Sequence, residues 1–387
     1  MSGRIYLDWN ATTPLRNEAR EAMAAAWDLC GNPSSVHAEG RQARKLVEDA
    51  RAIVAGAVGA APKNLVFTSG GTEANALALR SGLRRGSSRG VERLVVSAIE
   101  HASVLAGGRF QAISTVGVTR AGLLDLGHLR AALEGEPPAL VSVMLANNET
   151  GAVQPVAEAA EIVHAAAGLL HVDAIQAFGK IPFDMNTLNA DLVTLSGHKI
   201  GGPKGVGALV MAEGLLGFEP LLRGGGQELS RRAGTENVTG IAGFGAAAKV
   251  ALGTMAEDAI RLQGLRTRLE SGLRLTPGAM VFSDEAPRLS NTTLFTVAGL
   301  KAETAVIGFD LAGIAVSSGS ACSSGKVQPS HVLEAMGFGP EMAQGAVRLS
   351  LGWSTSDADI DRCLEAWRKL EGTLLKTHSD ETRLERF

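Results

Sequence analysis

Lys199 follows a short apolar run, 192–195, and lies in the stretch SGHKIGGPKG. At a buried strand end, desolvation would lower the pKa of its amine and make it nucleophilic. The stretch then offers a Schiff-base lysine with hydroxyl and backbone N–H donors beside it; by itself it equally describes a surface lysine in a glycine turn. Asp173 ends another apolar run. An isolated carboxylate there would be costly unless a cation met it, or it caps a helix at Ala174. Gln176 stands three residues on, His101 just past a third strand end, and Gly71-Thr72 where the strand at 64–68 turns into a helix. Such a turn presents free N–H groups to an anion, or is an ordinary capped βα turn. A lysine for an aldehyde, an acid for a pyridinium nitrogen, a ring to stack and a helix start for a phosphate together suit pyridoxal 5'-phosphate.

The elements that must position these residues alternate. Strands are predicted over 64–68, 93–97, 112–116, 140–145, 169–172, 192–195 and 206–210, with helices over 42–58, 74–83, 126–133 and 156–167 between them. Alternation of this kind gives an α/β domain with a largely parallel sheet, and open sheets of that class bind ligands at strand carboxyl ends. The run at 140–145 is nearly continuous in apolar residues, as expected of a strand buried on both faces. Further helices are predicted at 17–29, 237–252, 257–273, 302–311, 330–336 and 357–374, and short strands at 5–7, 280–282, 292–296, 314–316 and 347–351.

A length of 387 residues fits two domains. With 45% apolar and 20% charged residues the chain is globular. The net charge of −3, from 37 basic and 40 acidic residues, argues neither for nor against a nucleic-acid surface; no direct DNA binding is expected. No apolar run reaches the ~18 residues of a membrane span, and MSGRIYLDWN lacks the apolar core of a signal peptide. Three cysteines, Cys30, Cys322 and Cys363, cannot form a disulfide framework and fit a reducing cytoplasm. Cys30 and Cys363 fall in helices or at helix ends. Cys322 lies in SSGSACSSG with nothing apolar beside it but Ala321, an unusual place for a free thiol.

YLDWNATTP, FTSGGTEAN, IEHASVL, NNETG, HVDAIQAFGK, SGHKIGGPKG, RRAGTENV, SSGSACSSG and VRLSLG occur in this order over residues 5–352. Nine motifs in this order resemble the cysteine desulfurases of the NifS/IscS type, pyridoxal-phosphate enzymes of fold type I in the class V aminotransferase family. The resemblance implies a large domain, 12–258, with a mostly parallel mixed sheet flanked by helices. It implies a smaller α+β domain, 1–11 with 259–387, carrying the Cys322 loop. It implies an L-cysteine desulfurase that yields L-alanine and a persulfide on Cys322. The sulfur would go to an acceptor or scaffold protein for iron–sulfur cluster assembly or tRNA thiolation.

Site roles also follow from the resemblance. Lys199 would be the Schiff-base lysine. Gly71, Thr72, Ser196 and His198 would hold the phosphate, and His101 would stack on the ring and move protons. Asp173 would meet the pyridinium and Gln176 the phenolic oxygen. Asn148 would touch cofactor and substrate, and Arg348 would bind the substrate carboxylate. Thr235 would reach the phosphate of a second copy, which makes a homodimer; no metal is implied. A selenocysteine lyase, another lyase of the family, and a sulfur-carrier platform are the alternatives. RGGGQELSRR departs from the usual HGGG pattern of relatives, and the tail beyond Leu374 does not match the scaffold-docking tail of some of them.

Overall fold

The computed structural model describes residues 3–319 and 328–374. Among these, seven strands form one sheet. Their spatial order is Leu65–Thr68, Gly207–Met211, Leu192–Ser196, Leu169–Asp173, Ala139–Met144, Arg93–Ser97 and Ala112–Val116. The last five run parallel, and Gly207–Met211 is antiparallel to both its neighbours.

Alternate residues of each strand feed opposite faces. Val141, Val143, Val172, Val193 and Leu195 meet Val47 and Val54 of the helix Ala38–Gly56 and Val163 of Val156–Ala165. On the other face Leu94, Leu140, Leu169 and Leu192 meet Leu77 and Ala78 of the helix Gly71–Ala78. Every residue of Ala139–Met144 is buried, Ser142 included, in keeping with its nearly continuous apolar run.

A second, antiparallel sheet has the order Met280–Val281, Thr292–Thr296, Val347–Ser350, Ser317–Ser318. The helices Ala302–Leu311 and Asp357–Leu374 pack on it around Phe295, Phe309, Leu349 and Trp367. Ile5–Tyr6 pairs in parallel with Ile314–Ala315, so the start of the chain joins this second core.

Two expectations are corrected. The helices predicted at 237–252 and 257–273 are one, Val238–Leu273, of 36 residues. No proline interrupts 253–256, and Thr254 Oγ1 donates to Asp258 Oδ2 across one turn at 2.8 Å. Ile241, Phe244 and Ala248 enter the first core and Leu262, Leu265 and Leu269 the second, so packing overrides the weak helix propensity of Gly253 and Thr254. This helix is long and apolar enough to cross a membrane by length and composition, yet half of its most apolar window is buried inside the protein. The helix predicted from 74 starts at Gly71. Gly71 and Thr72 therefore occupy its first turn, where backbone N–H groups have no intrahelical acceptor.

Candidate active site

The carboxyl ends of Leu169–Asp173 and Leu192–Ser196, the start of Gly71–Ala78 and the side chain of Arg348 enclose a cavity of about 530 Å³. That volume is typical of a small-molecule site. Gly71, Thr72, His101, Asn148, Asp173, Gln176, Ser196, His198, Lys199 and Arg348 all line it. Asp8, Asn10, Ala11 and Ser103 line it too, and sequence reasoning had not singled them out.

Lys199 ends the tight turn Gly197–Lys199 that breaks the strand before it. Its Nζ donates to the Asn10 carbonyl at 2.6 Å and the Ala11 carbonyl at 2.9 Å. Burial and then the charge of Arg348 lower its pKa to about 8, and a desolvated ammonium gives up its proton readily. On the same turn, burial and the charges of Lys199 and Lys204 lower His198 to about 4, so its ring is neutral and near Thr12 Oγ1 at 3.2 Å.

Asp173 is 5% exposed. Its Oδ1 accepts from the Ile175 N–H at 3.0 Å and its Oδ2 from Asn75 Nδ2 at 2.9 Å. Burial raises its pKa against these bonds and against the nearby positive charge of Lys199. The Ile175 bond is the local turn expected of a capping aspartate, but the carboxylate also faces the cavity. Gln176 is buried. Its Nε2 donates to the Asn10 carbonyl at 2.9 Å and its Oε1 accepts from Lys180 Nζ at 2.7 Å. Burial holds Lys180 well below the usual lysine range.

His101 caps the four-residue helix Ala102–Leu105, with Ser103 N–H 3.1 Å and Ser103 Oγ 2.8 Å from its Nδ1. Its outer face is open to the cavity, while the protein packed behind it lowers its pKa by desolvation, against the pull of Asp173. Arg348 is buried. Its Nη1 donates to the Asn148 carbonyl at 3.0 Å and its Nη2 to Asp8 Oδ1 at 2.8 Å. Its Nε is buried without a partner.

Thr235 stands apart from the cavity within one chain. It lines a cleft of about 220 Å³ with Glu228, Arg232 and Asn237. The loop before it is fixed by Glu228, whose carboxylate accepts from Arg51 Nη1 at 2.6 Å, Arg51 Nη2 at 2.8 Å and the Phe67 N–H at 2.9 Å. Glu228, Leu229 and Ser230 all take positive φ, of 48°, 56° and 62°, a conformation costly for side chains with a Cβ. Cys322 lies outside the described residues. Of the other two, Cys30 is exposed and Cys363 is buried, its thiol pushed up to about 12 by burial. Ser330 Oγ donates to Glu149 Oε2 at 2.5 Å, and burial raises Glu149 to about 7.

These residues fit pyridoxal 5'-phosphate on their own terms. Ser196 Oγ is buried without a partner beside the Gly71 helix start, as a phosphate ligand would be. Asp173 is a buried carboxylate with no ion pair among the described residues, and it faces the space where a cationic ring nitrogen would lie. Lys199 is a lysine of lowered pKa on the same wall.

The family described as Aminotransferase class-V matches residues 5–363. A cysteine desulfurase of Cereibacter sphaeroides is 46% identical over 371 residues, covering 94% of each chain. The cysteine desulfurase IscS of Dictyoglomus turgidum is 39% identical over 378 residues, 96% of this chain and 95% of its own. Among solved structures, the NifS-like protein of Rickettsia africae ESF-5 superposes with a TM-score of 0.87 at 38% identity, over 95% of this chain and 99% of that one. SspA in complex with cysteine superposes with a TM-score of 0.74 at 30% identity, over 90% and 98%.

Proposed function

The chain belongs to the class-V aminotransferase family and is a pyridoxal-phosphate-dependent L-cysteine desulfurase, and we propose that Lys199, His101, Arg348 and Cys322 divide that chemistry among them. Pyridoxal 5'-phosphate, when bound, supplies an electron sink for the substrate α-carbon. Lys199 would hold it, with Gly71, Thr72, Ser196 and His198 at its phosphate, Asp173 at its ring nitrogen, Gln176 at its phenolic oxygen and His101 and Asn148 beside the ring. The reading is supported by the convergence on one cavity of residues from Asp8 to Arg348.

Lys199 Nζ takes the α-proton of the substrate, a task suited to an amine with a pKa of about 8. Arg348, on the wall of the cavity, binds the substrate carboxylate with its guanidinium. The Cys322 thiolate attacks the substrate sulfur. The Cβ–S bond of the substrate breaks and an S–S bond forms. The electron pair of the broken bond ends as a C–H bond once a proton is delivered, with His101 near the ring to supply it. L-Alanine leaves and Cys322 keeps a persulfide.

The persulfide then passes to an acceptor or scaffold protein, for iron–sulfur cluster assembly or tRNA thiolation. Thr235 completes the phosphate site of a second copy in a homodimer, consistent with its place outside the cavity of its own chain. The free thiols of Cys30 and Cys363 support a reducing cytoplasm. Cys322→Ala tests the core of this reading. It is expected to keep the visible absorbance of the bound cofactor and lose sulfide and alanine formation from L-cysteine. Full activity would overturn the assignment of the thiol.

A further inference from the structure

Asn75 lies fully buried in the helix Gly71–Ala78. Its Nδ2 donates to Asp173 Oδ2 at 2.9 Å and to Ser103 Oγ at 2.9 Å. Its Oδ1 accepts from Thr194 Oγ1 at 2.6 Å.

The direction of every bond in this network follows once Asp173 is the carboxylate that its proposed role requires. As a carboxylate it only accepts, so the amide nitrogen of Asn75 faces Asp173 and the amide oxygen faces Thr194. Thr194 commits its hydroxyl proton to Asn75 and so accepts from His171 Nε2, 3.2 Å away. His171 is neutral, its pKa lowered to about 3 by burial, and its bare Nδ1 faces the Ser142 hydroxyl at 2.7 Å.

Toward the cavity, Ser103 Oγ accepts from Asn75 and keeps one proton, directed at His101 Nδ1 at 2.8 Å. The Ser103 backbone N–H, which only donates, is 3.1 Å from the same nitrogen. A ring nitrogen that faces two donors carries no proton, so in neutral His101 the proton is on Nε2.

We propose that Asn75 is the positioning residue of this site: through Ser103 it fixes His101 as the Nε2–H tautomer, and directly it holds Asp173 ionised toward the cofactor ring. The proposal rests on the roles given above to His101 and Asp173. Its chemical content is that neutral His101 offers a proton at Nε2 and cannot take one there, which leaves Lys199 as the base.

The test is nitrogen NMR of the histidine rings in ¹⁵N-histidine-labelled holoenzyme, with His101 assigned by its loss in His101→Gln. The expected spectrum shows His101 protonated on Nε2. Ser103→Ala, at a partly exposed helix start, is expected to move the Nδ1 signal and lower kcat by about threefold to tenfold with an unchanged KM, the worth of one hydrogen bond. Ser103→Thr is expected to restore both. Asn75→Leu is expected to alter the ring signals and also to weaken cofactor binding by about tenfold, because Asp173 loses a donor. Should that variant fail to fold, Thr194→Val, which frees Asn75 Oδ1 at constant volume, takes its place with the same two readouts. His101 protonated on Nδ1, or a Ser103→Ala ring spectrum and kcat equal to wild type, would overturn the proposal. Full turnover in His101→Gln would instead overturn the role of His101 in the desulfuration, so the two failures are distinguishable.

Discussion

Arg348 and Asp8 form an ion pair of 2.8 Å across the mouth of the cavity, although 340 residues separate them. Arg348 sits on the central pair of the second sheet, opposite Leu294 on one side and Ser317 on the other. Asp8 is brought there by a bridge to Ser350. Together with the Asn148 carbonyl, Asp8 occupies both terminal nitrogens of the guanidinium and holds it in place on the cavity wall.

Arg348→Lys should therefore raise KM for L-cysteine by roughly tenfold to a hundredfold, the worth of one charge-assisted hydrogen bond. Asp8→Asn should raise it by a smaller factor, because the fork is less firmly held. Both should leave the cofactor absorbance unchanged. Steady-state kinetics measure this, and an unaltered KM in Arg348→Lys would remove the carboxylate role.

Lys199 should make cofactor capture depend on pH. Only the neutral amine attacks an aldehyde, and the folded chain holds Lys199 near pKa 8. The rate at which cofactor-free protein takes up pyridoxal 5'-phosphate should rise about tenfold per pH unit below that value and level off above it. Stopped-flow absorbance follows the process. A rate still climbing at pH 10 would mean that the site does not lower the lysine.

Glu149→Gln should stabilise the protein at alkaline pH. Burial raises the folded pKa of Glu149 to about 7 from 4.5, so the folded state resists its ionisation. Below pH 4.5 the acid is protonated in both states and nothing is lost. Between pH 4.5 and 7 the unfolded chain ionises first and stability falls, by about 3 kcal/mol at most. The amide removes that loss. Denaturant melts should show the variant gaining on wild type at pH 8.5 but not at pH 4; an equal difference at both would contradict the assignment.

Gly207→Ala should weaken both fold and cofactor binding. A Cβ there would lie 2.6 Å from the Gly70 carbonyl carbon, 2.8 Å from Gly70 Cα and 2.8 Å from the Leu195 carbonyl oxygen. All are backbone, and Gly70 leads directly into the helix Gly71–Ala78, whose first residues line the cavity. Overpacking of this kind costs about 1–3 kcal/mol. The melting temperature should drop by several degrees and the cofactor dissociation constant should rise. Gly253→Ala, with nothing within 4 Å of its Cβ, is the control and should stabilise slightly.

Lys199, Asp173 and His101 were legible in the sequence because each stands where an apolar run stops, and a parallel sheet gathers such ends on one side. Asn75 and Ser103 were not. An asparagine inside a helix and a serine in a four-residue helix carry no local mark, and their partners are 98 and 28 positions away. Asp8 was hidden for the same reason. The division of Val238–Leu273 into two helices failed because Gly253 and Thr254 look like a break until the cores that hold both halves are known.

That helix has a further consequence. Its two halves anchor in different cores along one unbroken rod, so their apolar faces share a single rotational phase. One residue added or removed near Gly253 would turn everything beyond it by about 100°. Leu262, Leu265 and Leu269 would swing out of the second core while Ile241 and Phe244 stayed in the first. Substitutions in the middle of the rod are cheap there, but a change in its length is not, and Arg348 would lose its place over Asp8 along with the sheet that carries it.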